Sequence, residues 1–256
     1  MDCKAVVSSE IGTSHQKLNL PCQDYAQYCL LENRAIIGAV SDGAGSAKHS
    51  EIGSKLAVET VLGYLKGVEQ HTVKSEDSLP PSLKNVRQIF TAVVKKVQEE
   101  LQQLSDTNNY KIEDLACTLL IFIATSEEIM AMQIGDGFIV IRPSNEEYQL
   151  LFKPNKGEYA NETTFITSST AIEDMQVDII SKPISFICAS TDGLEKVAIK
   201  LSNYSPYERF FNPLETYLQE TVELKEEDYL KPFLQSPSLN SRTDDDKSLL
   251  IALFKE

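Results

Sequence analysis

The chain has no apolar run approaching the ~18 residues of a membrane-spanning helix, and its longest hydrophobic stretches are strand-sized. It also lacks any closely spaced cysteine pair. Cys3, Cys22, Cys29, Cys117 and Cys188 are odd in number and far apart, which argues against a zinc ribbon or a disulfide framework. Neither a glycine-rich dinucleotide fingerprint nor a P-loop occurs. Positive charge is scarce: 24 Lys and Arg stand against 38 Asp and Glu, for a net charge of −14. That balance argues against a nucleic-acid or anionic-membrane surface. The first residues, MDCKAVVSSEIG, lack the basic region and apolar core of a signal peptide. With free thiols, a reducing, cytoplasmic location is the expectation.

What is present can fold. Hydrophobic residues make up 42% of the 256 positions, enough for a real core. No repeat, low-complexity tract or linker divides the chain, so one domain spanning 1–256 is expected. Short runs rich in β-branched residues read as strands at 34–40, 117–125, 128–135, 138–143, 148–153, 176–181, 184–191 and 247–254. The joints TSEE, DG and SKP are short enough for antiparallel hairpins. Three-or-four spacing of apolar residues predicts amphipathic helices over 50–68 and 83–104. Shorter helical segments follow around 194–200, 206–220 and 225–235. The stretch 69–81 reads as an exposed loop, and an insertion at about 153–175 reads equally as a flap beside a cleft or a plain surface loop. Hairpins with two long helices imply an α+β fold, antiparallel sheets covered by helices.

Chemistry gathers around carboxylates. Asp-Gly occurs as Asp42-Gly43, Asp136-Gly137 and Asp192-Gly193, each after an apolar run, and Asp244, Asp245 and Asp246 directly precede the final strand. Asp24 follows in PCQD. Acids at one rim of a sheet system can converge on a single site. Hard divalent cations take such oxygen ligands, and a glycine lets a backbone carbonyl approach the same ion. Each pair has a plainer reading. Asp136-Gly137 could be a hairpin turn, Asp192 a helix N-cap, and the Asp triplet a solvated loop. No contiguous loop of alternating ligands suggests an EF-hand calcium site.

The ordered set SHQKLNLPCQD, SDGAGSAKHSEIGSKLAVE, ACTLLI, QIGDGFIVIR, STDGL and DDDKSLLIAL resembles the metal-dependent serine/threonine protein phosphatases of type 2C (PPM), in their bacterial stand-alone branch. The resemblance runs from about residue 8 to 254. It implies a four-layer αββα sandwich with a metal site at one end, holding two Mn²⁺ or Mg²⁺ ions and room for a third. By the same resemblance Asp42 bridges two ions, the Gly43 carbonyl binds one, and Asp192 and Asp245 bind the other. Asp24 holds water nearby, with Gln23 where many members have Glu. Asp114, or Glu113, is the candidate for a third ion. Two positions depart from the family: Asn19 stands at the phosphate-binding Arg, and Ala44 at the His of many eukaryotic members. His15, Lys17 or Lys48 is then the candidate phosphate-binding cation, with His15 and Lys48 preferred, while His49 reads as an ordinary residue entering the helix.

The activity implied is hydrolysis of phosphoserine and phosphothreonine in proteins by a metal-activated water. A phosphoprotein substrate, a cognate Ser/Thr kinase and a monomeric state are the expected partners and assembly. The alternative is a catalytically silent phosphatase-like module that binds a phosphoprotein or kinase.

Overall fold

A computed structural model of the protein describes residues 3–31, 34–72, 83–153, 163–223 and 229–254. The chain opens with strand β1 (Cys3–Glu10), helix α1 (Thr13–Leu18), β2 (Tyr25–Leu30) and β3 (Ile36–Ser41). Two long helices follow, α2 (Ser50–Thr72) and α3 (Leu83–Asn108). A 3-10 turn at Ile112–Leu115 leads to β4 (Leu119–Ala124), β5 (Ile129–Ile134), β6 (Phe138–Pro143) and β7 (Gln149–Leu150). Then come α4 (Ala171–Asp174), β8 (Gln176–Ile180), β9 (Ile184–Ser190), a 3-10 turn at Asp192–Leu194, and α5 (Glu195–Ala198). A small hairpin of β10 (Ile199–Lys200) and β11 (Ser205–Pro206) precedes α6 (Glu208–Glu220), α7 (Leu230–Leu234), α8 (Pro237–Asn240) and β12 (Lys247–Phe254).

The long strands form two antiparallel sheets, ordered β1-β12-β9-β6-β7 and β2-β3-β4-β5-β8. Their facing sides enclose Ile36, Val40, Leu120, Phe122, Ile139, Ile187 and Leu250. Outside the second sheet, α2 and α3 pack Val58, Val61, Phe90, Val94 and Val97 onto Ile37, Ile121 and Met132. Outside the first, Phe210, Phe211, Leu214 and Leu230 cover Val140, Cys188, Leu249 and Ile251. The result is the expected four-layer sandwich. Strands β3, β9 and β12 are buried on both faces, so they appear in the sequence as unbroken apolar runs rather than as alternation.

The TSEE joint is a hairpin, closed by Thr125 N–H donating to the Glu128 carbonyl at 2.9 Å. The DG and SKP joints are not. Each carries the chain from one sheet to the other, β5 to β6 and β8 to β9. A short joint permits either path, and spacing alone does not separate them. At the first crossing Gly135 takes φ 109°, and a side chain there would meet Thr118 at 2.5 Å.

Three early elements carry no strong sequence signal. Strand β2, YAQYCL, has no β-branched residue, β1 is polar at both ends, and α1 is six residues long with no buried member. The strand expected over 148–153 shrinks to Gln149–Leu150. Part of the 69–81 loop, of the 153–175 insertion and of the 225–235 helix lies outside the described residues. Among the described residues no helix is long and apolar enough to cross a membrane.

Two glycines of α2 give a paired test. A Cβ on Gly53 would lie 2.2 Å from the Leu115 carbonyl oxygen, whereas one on Gly63 would meet nothing within 4 Å. Gly63→Ala should therefore raise stability by about 0.5–1 kcal/mol, the ordinary helical gain. Gly53→Ala should lower it by about 1–3 kcal/mol, because backbone must move. Urea midpoints of the two variants against the parent read both signs.

Candidate metal centre

Antiparallel pairing brings the acids together. Phe138 and Leu249 both pair with Ser190, so the starts of β6 and β12 and the end of β9 share one edge of their sheet. Asp136, Asp192 and Asp245 lie just beyond that edge in the chain, and Asp42 follows the end of β3 in the facing sheet. The carboxylates of Asp42, Asp136 and Asp192 each offer an oxygen within 4.8 Å of the others. Asp42 is fixed by its backbone: its N–H donates to Thr118 Oγ1 at 3.0 Å, and its carbonyl accepts the Thr118 N–H at 2.8 Å. Asp192 opens a 3-10 turn whose N-cap is Thr191, so it is not the cap itself. The turn reading of Asp136-Gly137 yields to a place in the cluster.

Electrostatics mark the crowding. Burial, then the charges of Asp136, Asp245 and Glu195, push the Asp192 carboxyl up to about 7. Burial also raises the Asp24 and Asp42 carboxyls, and each lies in the other's field and in that of Asp192. The Thr191 hydroxyl donates to Asp24 Oδ2 at 2.7 Å and partly relieves it. Asp245 is raised by burial and faces both Asp42 and Asp192.

The Asp triplet divides its roles. Asp246, 2% exposed at its side chain, accepts from the Gly12 and Gln23 N–H groups at 2.6 Å each and meets His15 Nδ1 at 2.9 Å. It is a structural acceptor tying the early chain to β12. Asp244 uses its carbonyl to hold Ser14. Asp245 remains exposed toward the cluster.

Other expected residues stand further off. Asp114 accepts the Lys111 N–H at 3.3 Å in its own 3-10 turn, and its carbonyl accepts from His49 N–H. The third acid grouped with Asp42 and Asp192 is Asp136 instead. Glu113 is exposed on that same turn, and Lys48 is exposed between β3 and α2. His15 lies on α1 with Nδ1 engaged. Asn19 caps α1 in the left-handed conformation, φ 53°. His49 stacks on Tyr110 with ring centroids 4.0 Å apart, in line with its ordinary reading. Ala44 is buried, and its N–H donates to Ala116.

Lys247 is a functional candidate that sequence reasoning missed. It is 0% exposed, donates from Nζ to the Asp245 carbonyl at 3.0 Å, and sits in the field of Asp246, Asp24 and Asp245. Burial pulls its pKa down against those carboxylates. The available signal was parity: Lys247 shares the face of β12 that carries the buried Leu249 and Ile251.

The donors fit a hard divalent cation. All are oxygens, and two further buried oxygens, Gln23 Oε1 and Ser50 Oγ, have no hydrogen-bond partner among the described residues. A Cβ on Gly43 would meet the Gln23 carbonyl oxygen at 2.7 Å and Ser50 at 2.8 Å, so the chain packs there only with glycine.

A family model described as protein phosphatase 2C matches residues 11–235. The chain belongs to the protein phosphatase 2C family. Serine/threonine-protein phosphatase 3 of Escherichia coli (strain K12) is 34% identical over 264 aligned residues, covering 100% of both chains. Solved structures share the fold at low identity. A serine/threonine phosphatase of S. agalactiae matches with TM-score 0.65 and 13% identity over 99% of this chain and 100% of its own. The PstP catalytic domain in complex with two manganese ions matches with TM-score 0.60 and 13% identity, over 98% and 97%. The family resemblance read from the motifs is thus borne out, although the family model stops before Asp245 and β12.

Two outcomes follow for the metal-free protein. Asp192 holds its proton in the fold up to about 7, well above its unfolded value near 4. The folded state then binds more protons there, so the contribution of Asp192 to stability is whole below pH 4 and is lost as pH rises through 7. In EDTA, thermal midpoints should decline from pH 5 to pH 8, and Mn²⁺ should remove the decline. Lys247→Met should lower stability in EDTA by removing the buried ammonium from the field of Asp246, Asp24 and Asp245 and its bond to the Asp245 carbonyl. Mn²⁺ should restore more of the urea midpoint in that variant than in the parent.

Proposed function

We propose that the cluster holds two divalent cations, Mn²⁺ or Mg²⁺, with a place for a third, and that the chain hydrolyses phosphoserine and phosphothreonine in proteins. The observation that carries this reading is the convergence of Asp42, Asp136 and Asp192 oxygens within 4.8 Å at one end of a phosphatase 2C sandwich. Asp42, the Gly43 carbonyl, Asp192 and Asp245 are the proposed ligands, with Asp136 joining Asp192 for the third ion in preference to Asp114. Bound there, the cations would activate water and neutralise the phosphoryl oxygens.

The chain's own groups prepare that site. Asp24, whose Oδ2 accepts the Thr191 hydroxyl, would hold water beside the cluster and take a proton from it. His15 is oriented by Asp246 through Nδ1, which leaves Nε2 as the ring atom available to a phosphate oxygen. Lys48 supplies a free-swinging exposed cation at the same loop as Asp42. Asn19 offers only a neutral amide where the family has an Arg, so ground-state phosphate binding is weaker than a bidentate guanidinium would give. Substrates are phosphoproteins. A cognate Ser/Thr kinase, a monomeric state and a cytoplasmic location complete the reading, the last supported by five free cysteines.

Phosphate release from a phosphothreonine peptide tests it. Turnover with Mn²⁺ should vanish in EDTA, and Asp192→Asn should lower kcat/KM by at least about 100-fold, since even outer partners of a metal are worth 10–100-fold. No turnover from the folded parent over several peptides and metals would favour the silent binding module.

A further inference from the structure

Asp136 is the exposed member of the acid cluster, and one contact restrains it. Thr163 Oγ1 donates to Asp136 Oδ2 at 2.6 Å. A carboxylate on the surface ordinarily samples several rotamers, and ordering it on a cation costs entropy. A hydroxyl on one oxygen removes part of that freedom beforehand and turns the other oxygen toward the ion. We propose that Thr163 is a positioning residue for Asp136, tuning the affinity of the cation that Asp136 and Asp192 share. The inference rests on the metal reading given above.

Thr163 is itself held firmly enough to do this. Three residues on, Ile166 is completely buried among the α2–α3 core residues. Its N–H donates to the Cys117 carbonyl at 2.8 Å, and its carbonyl accepts from Gln98 Nε2 at 2.9 Å. Thr164 and Thr170 both donate to Asp174 Oδ2, at 3.0 and 2.7 Å, and Phe165 N–H donates to Ser168 Oγ at 3.2 Å. Cys117 is also the bridge partner of Gly43, and its neighbour Thr118 fixes Asp42. One short stretch, Cys117–Thr118, therefore registers both the Asp42 ligand loop and the segment that delivers Thr163. The sequence gives the two threonines of ETTF no distinction, yet only the first faces the cluster.

Manganese binding, followed by electron paramagnetic resonance of the free ion without substrate, separates the possibilities. Compared are the parent, Thr163→Val, Thr163→Ser and Thr164→Val. The proposal expects one class of sites to weaken about 10-fold in Thr163→Val, with Ser restoring it and Thr164→Val leaving it unchanged. Melting temperatures in EDTA should match the parent's in all three variants, while the Mn²⁺-induced rise shrinks only in Thr163→Val. Equal binding by Thr163→Val and the parent would overturn the inference and leave the metal reading intact. Equal weakening in Thr164→Val would also overturn it, by assigning the effect to the whole segment. A parent that binds no Mn²⁺ would remove the metal reading itself.

Discussion

Carboxylates brought within 4.8 Å of one another repel, and the end of this sandwich is built around that repulsion. At an effective dielectric near 20, each ionised pair at such a distance costs about 3–4 kcal/mol. The fold answers with fixed dipoles and nearby cationic side chains. Thr118 clamps the Asp42 backbone, Thr191 donates to Asp24, and Lys247 places its ammonium beneath Asp245. Burial first, and then the neighbouring carboxylates, hold the Asp192 carboxyl well above the range of a surface acid. A site with this excess of negative charge selects cations. The apolar strands on either side keep the ends from spreading apart.

Much of the plan was legible because burial on both faces leaves a direct imprint. The runs IIGAVS, LLIFIA, ISFICAS and KSLLIALF could hardly be anything but inner strands. Asp42, Asp192 and Asp245 were accessible through their position after or before such runs. Asp136 was harder, because a glycine-bearing joint between two strands looks the same whether it makes a hairpin or crosses between sheets. Only the crossing carries it to the cluster. Asp245 and Asp246 are chemically identical in sequence, and their opposite fates are set by the bend before β12, where Asp245 is exposed and Asp246 accepts the buried N–H groups of Gly12 and Gln23. Strand β2 and helix α1 were invisible because their stability comes from neighbours rather than local propensity. Lys247 escaped notice because a lysine before a strand is ordinarily a solvated flank.

The two departures from the family pattern, Asn19 and Ala44, lie on opposite sides of the cluster's origin in the chain. Both remove a charged or titratable side chain, and neither disturbs the backbone that frames the ligands: Asn19 accepts the left-handed turn closing α1, and Ala44 packs in the interior. Neither position is one of the clustered carboxylates of Asp42, Asp136 and Asp192.

The tie between Gly12 and Asp246 spans 234 positions, and β1 lies against β12 along its whole length, Cys3 opposite Phe254. Joining segments so distant demands that nearly all the intervening chain be organised first, at a high cost in loop entropy. Contacts of such long sequence separation are expected to form late in folding. Alterations at Asp246 or Gly12 should leave the folding rate almost untouched and quicken unfolding instead, the behaviour of contacts absent from the transition state.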